Sequence, residues 1–214
     1  MDSQHLRKKT IDAYNQIASH YSRTHFNPSF WQKEFLTFQS LIKGRRVIDV
    51  GCGAGRDAIL FYNNGFDYTG IDASAPMLAE ARKRLPQGNF MLKDFYNLDF
   101  PTSSFDGFWA SASLLHVPKK EVGQVLKELQ RILKPQGVGF ISLKQKRDID
   151  ETVIKQEKLG GIERFFAFYT KEEFENILKS CGSEILHFHT KWEEDGTCWL
   201  CFFVGKKGDP YLIK

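Results

Sequence analysis

Apolar positions along this chain fall into two alternating patterns. Short runs such as Val47-Ile48-Asp49-Val50, Phe66 to Ile71, Phe90-Met91-Leu92, Phe105 to Ser111 and Val138 to Leu143 read as buried strands. Between them lie stretches of helical period. The clearest is Lys119 to Lys134, where Val122, Val125, Leu126, Leu129, Ile132 and Leu133 share one face before Pro135-Gln136-Gly137. Ala58 to Tyr62 stops at Asn63-Asn64-Gly65, and Met77 to Leu85 stops at Pro86-Gln87-Gly88. Strand and helix thus alternate from Arg46 to Lys144, which predicts an α/β fold: a parallel sheet with helices on both faces.

The flanks differ. Gln4 to Thr24 is a mostly polar helix with Tyr14, Ile17, Ala18 and Tyr21 on one face. His25-Phe26-Asn27-Pro28 breaks it. Ser29 is expected to cap a second helix, with Gln32 as capping-box partner and Trp31, Phe35, Phe38 and Ile42 as its apolar stripe. After Lys144 the chain is charged as far as Gly160-Gly161, and an aromatic cluster follows, which reads as a hinged lid. Thr170-Lys171-Glu172-Glu173 is a second capping box. Glu184 to Trp192 and Thr197 to Val204 form a terminal hairpin around Glu193-Glu194-Asp195-Gly196.

Size and composition leave this picture intact. The 214 residues fit one domain: a helical cap over 1–44, a core over 45–144, and a lid, last helix and hairpin over 145–214. A net charge of +4 in scattered basic pairs points to no nucleic acid. Four cysteines give one C-x-x-C, Cys198 and Cys201, inside a strand that sends an offset of three to opposite faces. His187 and His189 share a strand face with no third ligand at readable spacing, so no metal is expected. With no apolar leader or membrane-length stretch, the expectation is a reduced, cytoplasmic protein away from membranes, a monomer or homodimer.

The chemistry concentrates after the first strand. Asp49 precedes Gly51-Cys52-Gly53-Ala54-Gly55-Arg56, a turn whose amides and helix start make a polar cradle. Asp72 ends the next strand, where a nucleotide-binding sheet places its ribose acid. A dinucleotide turn would need a third glycine where Arg56 stands. The stretch instead resembles the first motif of class I S-adenosylmethionine (SAM) methyltransferases. The small-residue segment Ala110-Ser111-Ala112-Ser113-Leu114-Leu115-His116 resembles that of the small-molecule members, and no N/D-P-P-Y/F motif of DNA and RNA amino-methyltransferases stands there.

The resemblance implies a Rossmann-like sheet of order 3-2-1-4-5-7-6 with strand seven antiparallel, SAM as cofactor, S-adenosylhomocysteine (SAH) as product and a small-molecule acceptor methylated on O, N or S. It implies that Asp49 holds the SAM ammonium, that Gly51, Cys52, Gly53 and Gly55 shape the turn, and that Arg56 meets the carboxylate. Asp72 would take the ribose diol, since a carboxylate accepts two hydrogen bonds, with Ala73 beside it. Met77, Asp94 and Phe95 would surround the adenine. Ser111 would lie under the cofactor, and Tyr21 of the Y-x-x-x-A-x-x-Y leader would close over it. His116 is the candidate base. Arg164 and Tyr169, with His116, are the candidate substrate contacts. Two rivals remain: a SAM-binding protein without turnover, and a nicotinamide-dependent oxidoreductase.

Overall fold

The computed structural model describes residues 2–207. Along the chain run α1 (Ser3–Thr24), α2 (Gln32–Leu41), β1 (Arg46–Val50), α3 (Ala58–Asn63), β2 (Asp67–Asp72), α4 (Ala75–Arg84), β3 (Asn89–Leu92) and β4 (Phe105–Ser111). Then come α5 (Lys119–Ile132), β5 (Leu133–Lys144), β6 (Glu151–Gln156), β7 (Ile162–Ala167), α6 (Lys171–Ser180), β8 (Ser183–Trp192) and β9 (Cys198–Lys206). The seven-stranded sheet has the order β3-β2-β1-β4-β5-β9-β8. Its first five strands are parallel, and β9 runs antiparallel to both β5 and β8. With β8 and β9 as strands six and seven, this is the expected order. The point where the chain turns from β1 toward β2 on one side and β4 on the other is where open α/β sheets bind ligands.

The apolar stripe of α2 explains one side of the core. Trp31, Phe35 and Phe38 are buried. Their rings meet Phe61, Trp109 and Phe140 edge-on at 5.1–5.9 Å between centroids, the geometry aromatic pairs favour. The opposite side is closed by α5, whose Val122, Val125, Leu126, Leu129 and Ile132 are buried as the periodicity required.

Three local expectations are corrected. Ser29 does not cap α2: its amide bonds Asn27 Oδ1 at 3.0 Å in a tight turn, and Trp31 occupies the cap position without a side-chain bond. Helix α5 ends at Ile132, and β5 begins at Leu133, before Pro135 rather than after it. A register shift between Phe105 and Gly107 of β4 absorbs the proline, as a bulge does. The charged segment after Lys144 contains a second sheet, the antiparallel pair β6–β7. Of that pair, β7 packs beside α1.

Candidate cofactor and acceptor site

A cavity of about 1050 Å³, part of it open to solvent, lies at the carboxyl ends of β1, β2 and β4. Its wall includes Tyr21, Asp49, Gly51, Cys52, Gly53, Arg56, Asp72, Ala73, Met77, Asp94, Phe95, Ser111 and His116. The sequence-derived candidates are therefore gathered from five segments distant in sequence. Gly55, Arg164 and Tyr169 are not on that wall. Gly55 faces α4, where an added Cβ would lie 3.0 Å from the Ala81 Cβ. Tyr169 is fully buried against Phe174 of α6.

The turn after β1 is shaped for close approach. Gly51 has φ +77° and Gly53 φ +54°, conformations that L side chains rarely adopt. A Cβ on Gly51 would sit 2.5 Å from that of Ser113. The Gly53 amide donates to Asp72 Oδ2 at 2.8 Å, and the Ser74 amide donates to Oδ1 at 2.8 Å. These bonds fix the Asp72 carboxylate at the end of β2 while one edge faces the cavity. Ser74 also caps α4 by accepting from the Met77 amide, which sets Met77 on the wall.

Burial dominates the electrostatics. It raises Asp72 to about 6, against the opposing pull of its two amide donors. Asp49 is 2% exposed. Burial and the neighbouring Asp57 charge push it well above the carboxylate range, although Tyr68 donates to it at 2.8 Å. Asp57 behaves oppositely. Burial would raise it too, but pairing with Arg56 at 2.6 Å and bonds from Ser111 and Trp109 hold it below its ordinary value. Arg56 thus faces the cavity with its charge already met by Asp57. Sequence reasoning missed Asp57, which stands next to the arginine at the helix start. The signal was the buried Trp109, whose indole N–H needs an acceptor.

A second group packs around His116 on the cavity wall. His116, in the turn after β4, has its ring nitrogens engaged on both sides: Nδ1 with the Phe165 carbonyl at 2.6 Å, Nε2 with the Tyr14 hydroxyl at 2.9 Å. A carbonyl only accepts, so Nδ1 carries the hydrogen and the Tyr14 hydroxyl donates to Nε2. Arg164 of β7 donates to the same hydroxyl. Burial, with the Arg164 charge second, pushes His116 down to about 3. Tyr14 was read only as a helix-face residue; it links α1 to His116 and Arg164. The helix is tied down further by Arg7 on Asp94 at 2.6 Å and by Ser74 donating to Asn15 Oδ1 at 2.7 Å.

Elsewhere, His189 and Cys201 are cross-strand partners in β8 and β9, with Glu34 of α2 above them. The ligand-capable atoms of these three lie within 4.8 Å of one another. The third residue comes from a distant helix, so spacing along the strand did not reveal it. Glu34 is engaged by His189 at 3.0 Å and by Lys191 at 3.4 Å.

Comparison with known proteins agrees with this geometry. A family described as a methyltransferase domain matches residues 47–137. The 2-methyl-6-phytyl-1,4-hydroquinone methyltransferase of Synechocystis is 36% identical over 51% of this chain and 35% of its own length. The malonyl-[acyl-carrier protein] O-methyltransferase of Salmonella typhimurium is 30% identical over 62% of this chain and 53% of its own length. The chain thus spans roughly a third to a half of these curated relatives. Among solved structures, the Burkholderia thailandensis 1,6-didemethyltoxoflavin-N1-methyltransferase, crystallised with SAH, superposes with TM-score 0.77 at 19% identity, over 97% of this chain and 91% of its own. The DhpI–SAH complex gives 0.73 at 19% identity over 97% and 100%. SAM is the cofactor of this group. Residues 47–137 thus carry a methyltransferase domain, set in the fold of the class I SAM-dependent methyltransferases.

Proposed function

We propose that the protein transfers the SAM methyl group to an O, N or S atom of a small molecule by in-line displacement. The observation that carries this is the convergence of Asp49, Asp72 and Asp94, from three strand ends, on one cavity whose far wall is His116. Bound SAM supplies an already activated methyl group. The chain's own residues orient and enclose. Asp72 accepts from the ribose diol, Asp94 from the adenine amino group, and Asp49 faces the ammonium side. Gly51, Cys52 and Gly53 admit the backbone-close part of the cofactor, and Gly55 supports the turn from behind. Arg56 and Ser111 line the carboxylate side; Ala73, Met77 and Phe95 pack near the adenine, and Tyr21 covers the opening. His116 and Arg164 form the acceptor end, with Tyr169 behind them in the lid's base. Relatives are named for acceptors as different as a phytyl hydroquinone and a toxoflavin precursor, so acceptor identity is not carried over.

Calorimetric titration with SAM and SAH, with NADH as control, tests the cofactor. Micromolar binding of both and none of NADH is expected, with affinity lost in Asp72→Ala. Unchanged affinity in that variant rejects the ribose assignment. Labelled SAM with a metabolite panel separates turnover from binding alone.

A further inference from the structure

We propose that the acceptor reaches this site as an oxyanion, an ionised phenol or carboxylic acid, and is held on the His116–Tyr14 wall with Arg164 as its counter-charge. This rests on the methyltransferase reading and adds the chemical class of the acceptor.

The acids of the cavity wall are partly met by its arginines, Arg56 pairing with Asp57 and Arg7 with Asp94. Behind the Tyr14 and His116 part of the wall stands Arg164, which is 5% exposed. Its guanidinium donates to the Tyr14 hydroxyl and to Gln156 Oε1, both neutral. It faces the rings of Tyr14, Phe166 and Tyr21 at 4.7, 5.3 and 5.7 Å. Its Nε meets no acceptor. Among the described residues, no carboxylate lies within ion-pair reach of it. A buried charge without an opposite charge is costly. An incoming anion next to the Tyr14 hydroxyl, which Arg164 polarises, offsets that cost. Lys144 of β5 adds a second positive charge, its ammonium 5.4 Å from the Phe166 ring; Glu193 and Asp195 act on it from its other side.

Neither histidine of the wall is a ready base: His25 is pushed down by burial and by the Arg164 charge, and His116 is engaged on both ring nitrogens. The only lone pair of the neutral His116 ring is taken by Tyr14 from α1. A proton added there would face Arg164 of β7 and Lys144 of β5, the two charges that disfavour it. A site with a counter-charge and no lone pair free on His116 fits a substrate that has shed its proton beforehand. The transfer then balances without proton movement. An acceptor oxygen pair forms the O–C bond as the S–C bond breaks, and the leaving pair stays on sulfur as a neutral thioether. Opposite charges cancel in the step, and the buried Arg164 side of the site is where such cancellation is worth most.

The test uses the full chain saturated with SAH and two probes of the same shape, 4-nitrophenol and 4-nitroaniline, titrated calorimetrically above and below the pKa of the phenol. Ionised nitrophenol is expected to bind at least about tenfold tighter than nitroaniline. That advantage should vanish for the protonated phenol in wild-type protein, and in Arg164→Gln, and should persist in Arg164→Lys. The pH arm needs no variant, so a folding defect in Arg164→Gln leaves the inference testable. Equal affinities, a preference for nitroaniline, or binding of neither probe overturns it. SAH binding is measured first. Its absence refutes the methyltransferase reading; SAH binding without an anion preference refutes this inference alone.

Discussion

At the scale of single residues, Asp72 and His116 have moved in opposite directions for one reason. Burial penalises whichever form is charged, so the acid rises to about 6 and the base falls to about 3. For Asp72 the consequence is pH-dependent binding. Only the ionised carboxylate accepts from both hydroxyls of a diol with full charge assistance, so SAM affinity should fall by up to about tenfold per pH unit below about 6. Calorimetry across this range checks it, and a flat profile would place the diol elsewhere. For His116 the consequence is stability. Its ordinary value is 6.5, so on acidification the unfolded chain takes up a proton that the folded chain refuses until about 3. That contribution to stability is present above 6.5 and is lost as pH falls through this window. Asp72 has the opposite sign, since the folded form takes its proton first. His116→Asn removes only the first term. The gap between wild type and variant should therefore narrow by roughly 1–2 kcal/mol between about pH 7 and pH 5, read from urea midpoints. The acids of the cavity wall, Asp49, Asp72 and Asp94, were legible in sequence because each stands at or just beyond the end of a strand. The Tyr14–His116–Arg164 group was not, because its members lie on three elements that only tertiary packing brings together.

At the scale of elements, local chemistry succeeded where the backbone needed it and failed where a competitor was nearer. Thr170 and Glu173 make the full capping box, the Thr170 hydroxyl accepting from the Glu173 amide at 3.1 Å. Thr170→Ala should cost about 1 kcal/mol, seen as a lower thermal midpoint with the fold retained. Ser29, in the same kind of motif, lost its role to the Asn27 side chain two residues upstream. The β6–β7 pair was illegible for another reason. A two-stranded sheet has little to bury, and Glu151–Gln156 shows no alternation between buried and exposed positions. Its pattern of charges reads as loop, and only the Gly160-Gly161 turn hinted at a reversal. Gly51 carries the sharpest element-level constraint. Gly51→Ala combines a left-handed φ with a clash against Ser113, so a loss of at least about 1–3 kcal/mol is expected, with cofactor binding falling in parallel. A variant as stable as wild type would mean that the turn re-forms around the methyl group.

At the scale of the whole molecule, the sheet builds the floor of the cavity and two outlying elements build its roof. Helix α1 is fastened at intervals along its length: Arg7 to Asp94, Thr10 to the Phe165 amide, Tyr14 to His116, Asn15 to Ser74, and Ser22 to Arg84. Those partners belong to the cofactor wall, the lid strand β7, the acceptor turn and α4. The roof is thus tied to both halves of the site by polar bonds, several of them partly exposed and each worth little by itself. Such a roof opens as a unit, because freeing one bond leaves the helix held by the others. A ligand that fills the cavity stabilises the closed form by its binding free energy. Hydrogen exchange should therefore slow across residues 3–24 and 162–167 together when SAH is added, more than in the central strands β1 and β4, which are expected to exchange slowly without it. Protection confined to residues 51–56 and 72–77 would show instead that the cofactor is gripped by the sheet alone, with α1 and the lid acting as a fixed cover. Joint protection would make cofactor binding the event that completes the acceptor end, since Tyr14 and Arg164 travel on the elements that close.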